Sequence, residues 1–231
     1  IGITNVDIVG DTRFDRVLQI KEAAKQLPVV ETFLGEGLKG EKVKGERARV
    51  FVAGSSWQPD EDIFIPYFNE HPDWKLIIAP HVIGEDHLQQ ILTKTDGKAV
   101  RYTQCGAEQN SSLQDARVLI IDCFGLLSSI YRYADVTYVG GGFGVGIHNT
   151  LEAAVWDVPV IFGPNNQRFQ EAQGLKACGG GLEVHDADDF SRIMDGFVAR
   201  PHTLADAGQQ AGAFVVRMTG ATKKILSDVN L

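Results

Sequence analysis

Residues 136–152 read Val-Thr-Tyr-Val-Gly-Gly-Gly-Phe-Gly-Val-Gly-Ile-His-Asn-Thr-Leu-Glu, a β-branched run that passes through a glycine-rich turn into a helix start. The chemistry open to such a corner is anion binding. Gly140, Gly141, Gly142, Gly144 and Gly146 free the backbone for positive φ and place no Cβ between its N–H groups and a phosphate or carboxylate. Asn149 opens the helix, and Glu152 three residues on completes a capping-box pattern, so the free N–H groups and positive dipole end of that helix face the same anion. The same residues also make an ordinary cap on a tight turn, and the corner by itself leaves both readings open. Spacing excludes two other phosphate motifs: no glycine trio in this turn keeps the G-x-G-x-x-G interval, and no Gly-Lys-Ser/Thr closes it as a P-loop.

A sheet must present such a corner, and the chain has the pattern of one. Short apolar runs at residues 6–9, 48–53, 75–79, 118–121, 136–139 and 158–162 have the length of strands buried in a parallel sheet. Helical spacing fills the intervals at 13–26, 60–69, 85–95, 126–132, 149–155 and 167–177, with Pro59 and the acids after it starting the second of these. A further strand at 181–184 leads to helices over 186–199 and 203–228, the latter broken near Gly212. Residues 34–49 and 104–115 read as polar loops. The βα alternation specifies an α/β fold with a Rossmann-like, doubly wound parallel sheet, whose ligands bind at the carboxyl ends of the strands. Small or polar residues stand at those ends: Gly54, Ser55 and Ser56; Pro80 and His81; Asp122 to Gly125; Gly140 to Asn149; Gly163 to Asn166. His148, His81, Ser55 and Ser56 are therefore candidate ligand contacts, each with an alternative role in packing or capping.

Composition narrows the classes. The 231 residues, 44% of them hydrophobic, suffice for one large domain. Thirty acidic against 22 basic residues give a net charge of −8 with no basic tract, which argues against a nucleic-acid surface. Cys105, Cys123 and Cys178 are three and far apart, which points to a reducing compartment, and the six scattered histidines suggest no metal cluster. No apolar run nears the roughly 20 residues of a membrane span. The chain starts at Ile1 and enters an apolar run at once, which points to a missing N-terminal part.

The order of motifs resembles the C-terminal, donor-binding half of a GT-B glycosyltransferase, specifically the transferases of 3-deoxy-D-manno-octulosonic acid (Kdo). Val9-Gly-Asp-Thr-Arg-Phe-Asp15 is similar to that family's Gly-Asn-x-Lys-Phe-Asp, Gly54-Ser55-Ser56 to its Gly-Ser-Thr, and residues 133–142 to its Ala-Asp-x-x-Phe-Val-Gly-Gly-Ser. Gly146-Ile-His-Asn-Thr-Leu-Glu-Ala-Ala154 resembles Gly-Gly-His-Asn-Pro-Leu-Glu-Pro-Ala, and Pro159 to Pro164 with Asn166 and Phe169 resembles the Gly-Pro-His-x-x-Asn-Phe region. Three departures mark a divergent branch: Pro80-His81-Val82 stands for Pro-Arg-His, Gly125-Leu126-Leu127 for Gly-Glu-Leu, and Ile147 for a glycine.

The resemblance implies inverting transfer of Kdo from CMP-Kdo to a lipid A precursor without a nucleotide-bound metal or other cofactor. The anionic part of the donor then falls to Gly141, Gly142, Gly144 and Asn149, a ribose hydroxyl to Glu152, and the cytosine to the backbone of Phe124 and Gly125. Ser55, Ser56, His81 and His148 are further donor contacts, His81 partly replacing the family's arginine with Arg13 and Arg168 as alternatives, and Asn166 and Phe169 close the pocket. The family's catalytic base and acceptor site lie in an N-terminal domain absent from this sequence. Residues 1–231 are therefore expected to form one donor-binding domain, inactive alone and tied peripherally through the rest of the enzyme to the cytoplasmic face of the bacterial inner membrane. Two readings compete: a GT-B transferase using a UDP-sugar, and a non-catalytic nucleotide-sugar-binding domain.

Overall fold

Strands apolar on both faces build the centre of the molecule, as a parallel sheet covered by helices on each side requires. The computed structural model describes residues 6–35, 48–105 and 110–229. Among the described residues seven strands, β1 (Arg49–Ser56), β2 (Trp74–Pro80), β3 (Ala99–Arg101), β4 (Val118–Ile120), β5 (Val136–Val139), β6 (Val160–Phe162) and β7 (Gly181–Glu183), form one sheet in the order β3-β4-β2-β1-β5-β6-β7. Every pairing is parallel. The helices are α1 (Thr12–Glu22), α2 (Pro28–Leu34), α3 (Gln58–Glu70), α4 (Glu85–Lys94), α5 (Asn110–Asp115), α6 (Leu127–Ile130), α7 (Leu151–Ala154), α8 (Gln170–Cys178), α9 (Ala187–Ala199), α10 (Pro201–Arg217) and α11 (Ala221–Asp228).

Alternation along β1 divides the core. Val50 and Val52 join a cluster with Phe14 of α1, Leu151 of α7 and Phe214 of α10, while Phe51 and Ala53 join Phe64 of α3, Ile91 of α4 and Phe190 of α9 on the other face. The chain runs outward from β1 to one edge and returns to start β5 on the other side of β1. The order therefore reverses between β1 and β5, and at such a switch point the carboxyl ends leave a crevice.

The α/β reading and the strands in 48–53, 75–79, 118–121, 136–139, 158–162 and 181–184 stand, with shifts at their ends. Residues 6–9 do not form a strand. Val6 and Ile8 lie 74% and 87% exposed, and the segment is held through its polar groups, with Lys224 reaching Asp7 and the Ile8 carbonyl. The helix expected over 13–26 ends at Glu22, and a second helix that the sequence reading did not anticipate starts at Pro28. β3 was missed: three residues at the sheet edge, half-buried, carry too short a pattern to read. The terminal helix breaks at Gly220, in the left-handed region, rather than near Gly212, which packs inside α10 against Asp157. Residues 36–47 of the first polar loop and 106–109 of the second lie outside the described residues; in the second, Asn110–Asp115 is helical.

The segment likened to Gly-Asn-x-Lys-Phe-Asp anchors the helices. Asp11 caps α1, Asp15 accepts from the Gly220 and Thr222 N–H groups at the start of α11, and Phe14 meets Phe214 edge-on. Arg13 grips the buried Glu171 of α8 with both terminal nitrogens, at 2.8 and 3.1 Å. Its charge is committed inside the fold, so it does not serve as the free cation expected in place of the missing arginine.

Candidate functional site

Around the switch point the ends of β1 and β5 pack too closely on their neighbours for side chains. A Cβ on Gly54 would lie 1.9 Å from the Tyr131 hydroxyl, one on Gly140 2.2 Å from the Ser55 carbonyl, and one on Gly142 2.5 Å from the Gly163 Cα. These glycines are required by packing. Gly141, at φ +94°, also needs its missing Cβ for the turn itself. The loop then closes on its own carbonyls: Gly144 and Gly146 N–H donate to Gly141 O, and Asn165 donates from its backbone to Gly142 O and from its side chain to Gly144 O. Ser55, half-buried on the β1 rim, holds φ +53°, a strained conformation for a residue with a side chain.

One residue governing this corner escaped the sequence reading. Asp60, wholly buried in the first turn of α3, accepts the Gly141 N–H at 2.9 Å, the Trp57 N–H at 2.9 Å and the Tyr138 hydroxyl at 2.8 Å. The Gly141 N–H is thus held by an internal carboxylate rather than left for a ligand anion. Burial raises the Asp60 pKa, while the three hydrogen bonds and the field of His148 pull the other way. The local signal, an acid after Pro59, reads only as a helix start.

Asn149 and Glu152 meet, though not as a capping box. Asn149 Oδ1 accepts the Leu151 N–H at 3.1 Å, and its Nδ2 donates to Glu152 Oε1 at 3.0 Å. The two residues join side chain to side chain because Thr150 already has helical dihedrals, which moves the cap one residue along. Burial raises the Glu152 pKa against the Asn149 bond, and its charge adds to the burial that keeps the Tyr131 hydroxyl protonated. Among the described residues no acceptor meets the Asn149 or Thr150 N–H.

On the α3 side of the loop three rings meet. Trp57 Nε1–H donates to His148 Nε2 at 3.1 Å, and His81 stacks on Trp57 with centroids 4.7 Å apart and on His148 at 4.3 Å. Burial lowers the His148 pKa, His81 lowers it further, and Asp60 opposes both. Beside this stack Trp57, Pro59, Phe143 and Val145 line a depression of about 170 Å³.

The remaining candidates divide. Phe124, 80% exposed, and Gly125, at φ +86° with open space around its Cβ position, stand at the rim beyond β4. Ser56 does not reach the crevice with its hydroxyl, which is buried and donates to Glu61, itself paired with His87. Asn166 is buried too, its amide bonded to Gly163 O and Glu183 and its oxygen accepting from Gln173. Both are locked into turn architecture. The Phe169 ring lies where a Gly146 Cβ would point, as a wall of the loop. The structure thus brings together Ser55, His81, Gly141, Gly142, Gly144, His148, Asn149 and Glu152. Among the described residues no cluster of three or more His, Cys, Asp or Glu suits a metal ion, and no helix is long and apolar enough to cross a membrane.

No family model matches the chain. Over 171 residues it is 31% identical to the 3-deoxy-D-manno-octulosonic acid transferase of Chlamydophila psittaci, covering 72% of this chain and 38% of that protein. The 3-deoxy-D-manno-octulosonic acid transferase of Aquifex aeolicus is 29% identical over 164 residues, 68% of this chain and 43% of the other. The chain is a homologue of the Kdo transferases. It aligns with less than half the length of each of these relatives. Its fold matches the crystal structure of the C-terminal CMP-Kdo binding domain of WaaA from Acinetobacter baumannii, with TM-score 0.64 and 20% identity over 87% of this chain and 97% of that one. The sheet is thus that of a GT-B C-terminal half, and its Kdo-transferase homologues are glycosyltransferases.

Proposed function

We propose that this chain is the donor-nucleotide-binding domain of a Kdo transferase of lipopolysaccharide synthesis, taking CMP-Kdo as donor. One observation carries the reading. At the switch point Asn149 holds one oxygen of the half-buried Glu152 carboxylate and leaves the other without a partner among the described residues, beside the unpartnered N–H groups of Asn149 and Thr150. A carboxylate next to bare N–H groups suits a ribose hydroxyl next to a phosphate. The exposed Phe124 with the open Gly125 backbone suits the base, and the Acinetobacter domain that the chain matches in fold is a CMP-Kdo binding domain.

Transfer in this scheme is attack by an acceptor hydroxyl on the anomeric carbon of Kdo, with CMP leaving and the acceptor's proton passing to a base. Donors already positioned where charge grows on the departing phosphate lower that barrier. The base, the lipid A precursor site and the attachment to the inner face of the bacterial inner membrane belong in this proposal to the rest of the enzyme, and residues 1–231 form one domain that binds but does not turn over.

The test is calorimetric titration of the chain with CMP, CMP-Kdo, UMP and UDP, alongside an assay for Kdo transfer. Saturable binding of CMP and CMP-Kdo in preference to the uridine nucleotides, with no transfer, is expected. A preference for UDP would favour a UDP-sugar enzyme, binding of none would refute the donor reading, and robust turnover by this chain alone would refute the division of labour.

A further inference from the structure

Trp57 has no role assigned above, and its contacts with the expected donor contacts His81 and His148 fix a protonation state. A tryptophan N–H only donates, so His148 Nε2 at 3.1 Å must accept and carry no proton. The Cδ2 corner of the ring faces Gly141, where a Cβ would lie 3.2 Å away. Two adjacent ring positions are thus taken, and the edge left to the half-buried side chain is Nδ1 with Cε1, where no acceptor lies among the described residues. A neutral imidazole in this setting carries its proton on Nδ1. His81 overlies both partners: Trp57 and His148 touch edge to edge while each stacks on His81.

We propose that Trp57 is a positioning residue that locks His148 as a neutral donor, and that the Nδ1–H of His148 binds an oxygen of the transferred sugar rather than the nucleotide. The assignment to the sugar rests on the donor reading above and on sides of the sheet. Glu152 lies with Tyr131 and α7, whose residues pack on the α1 face, whereas Trp57 precedes α3 on the opposite face. A donor lying across the switch point meets the two groups with different parts. The groups facing His148 are Trp57 of the β1–α3 turn, His81 beyond β2 and Asp60 of α3; the Trp57 N–H requires an unprotonated Nε2 and a charge on His81 disfavours protonation of His148, while the Asp60 carboxylate acts the other way and favours the charged ring.

Two measurements on the intact chain decide it. Long-range ¹⁵N–¹H spectra of histidine-labelled protein report which His148 nitrogen carries the proton, and Trp57→Phe keeps the indole's stacking face but removes its N–H. The expected result is an Nδ1–H ring in the parent that titrates below the ordinary histidine value of about 6.5, and loss of that tautomer bias in Trp57→Phe. Calorimetry should then show CMP-Kdo binding weakened about tenfold in Trp57→Phe and in His148→Phe, as for one lost hydrogen bond, with CMP binding unchanged. An Nε2–H ring in the parent, or an unaltered tautomer in Trp57→Phe, overturns the lock. Equal weakening of CMP and CMP-Kdo overturns the sugar assignment. Failure of the parent to bind either nucleotide refutes the donor reading and the sugar contact with it, while the spectra still decide the lock.

Discussion

Asp60 offers the sharpest test of how the glycine corner is held. Asp60→Ala removes one carboxylate and strands three donors, the Gly141 and Trp57 N–H groups and the Tyr138 hydroxyl, in a place that water does not reach. At about 1–3 kcal/mol for each buried unsatisfied group the gross loss is roughly 3–9 kcal/mol, and release of a buried charge offsets part of it. A net loss of about 3–5 kcal/mol is expected, a large share of the stability of an ordinary domain. Asp60→Asn has the same shape. Its carbonyl can accept both N–H groups at the Oδ2 position while its NH₂ meets the Tyr138 oxygen, which turns from donor to acceptor, so about 1 kcal/mol or less is lost. Urea unfolding followed by circular dichroism measures both variants, provided that the slope is unchanged. Equal losses in the two, or a loss under about 1 kcal/mol for alanine, would refute the assignment of Asp60 as the strut of the loop. The pH dependence has a definite sign. Burial raises the folded pKa above 3.8, so the folded protein keeps a proton that the unfolded chain has released. The stability of the parent relative to Asp60→Asn therefore falls as the pH climbs from 3.8 through the folded value and levels off above it.

Glu152→Gln is expected to lower CMP affinity about tenfold in calorimetry while leaving stability at pH 7 equal to the parent's or slightly higher, since the raised pKa of Glu152 marks its ionised form as a cost to the fold; unchanged affinity with lowered stability would mean a cap and nothing more. Arg13→Met leaves the Glu171 carboxylate, 4% exposed, without its partner, and thermal or urea unfolding should show a loss of about 2–3 kcal/mol, tempered because Arg13 is half-exposed, with CMP affinity unchanged. Gly142→Ala drives a Cβ into the Gly163 backbone and should cost about 2 kcal/mol or more, whereas Gly144→Ala, whose nearest neighbour would be 3.7 Å away, should unfold within about 0.5 kcal/mol of the parent.

Local patterning was enough for much of this molecule. Apolar runs such as 136–139 and 75–79 announce strands because a strand buried on both faces must be apolar at every position, and glycine between a strand and Asn149 announces a turn because few other residues tolerate its dihedrals. Small polar residues at the strand ends gather on one edge of the sheet, since parallel strands all deliver their carboxyl ends there. The tertiary structure alone decided which of those residues spend their polar atoms on partners inside the fold. Ser56 and Asn166 have the same composition and setting as Ser55 and Asn149, yet their polar atoms bond inward to Glu61 and Glu183, partners fixed by how α3 and β7 pack. Asp60 and Gly141 stand 81 residues apart, and Trp57, His81 and His148 close on one another only because β1, β2 and β5 lie side by side. Periodicity reports which face of an element sees the core; the partner of a single carboxylate or ring depends on strand order, and no local pattern encodes that.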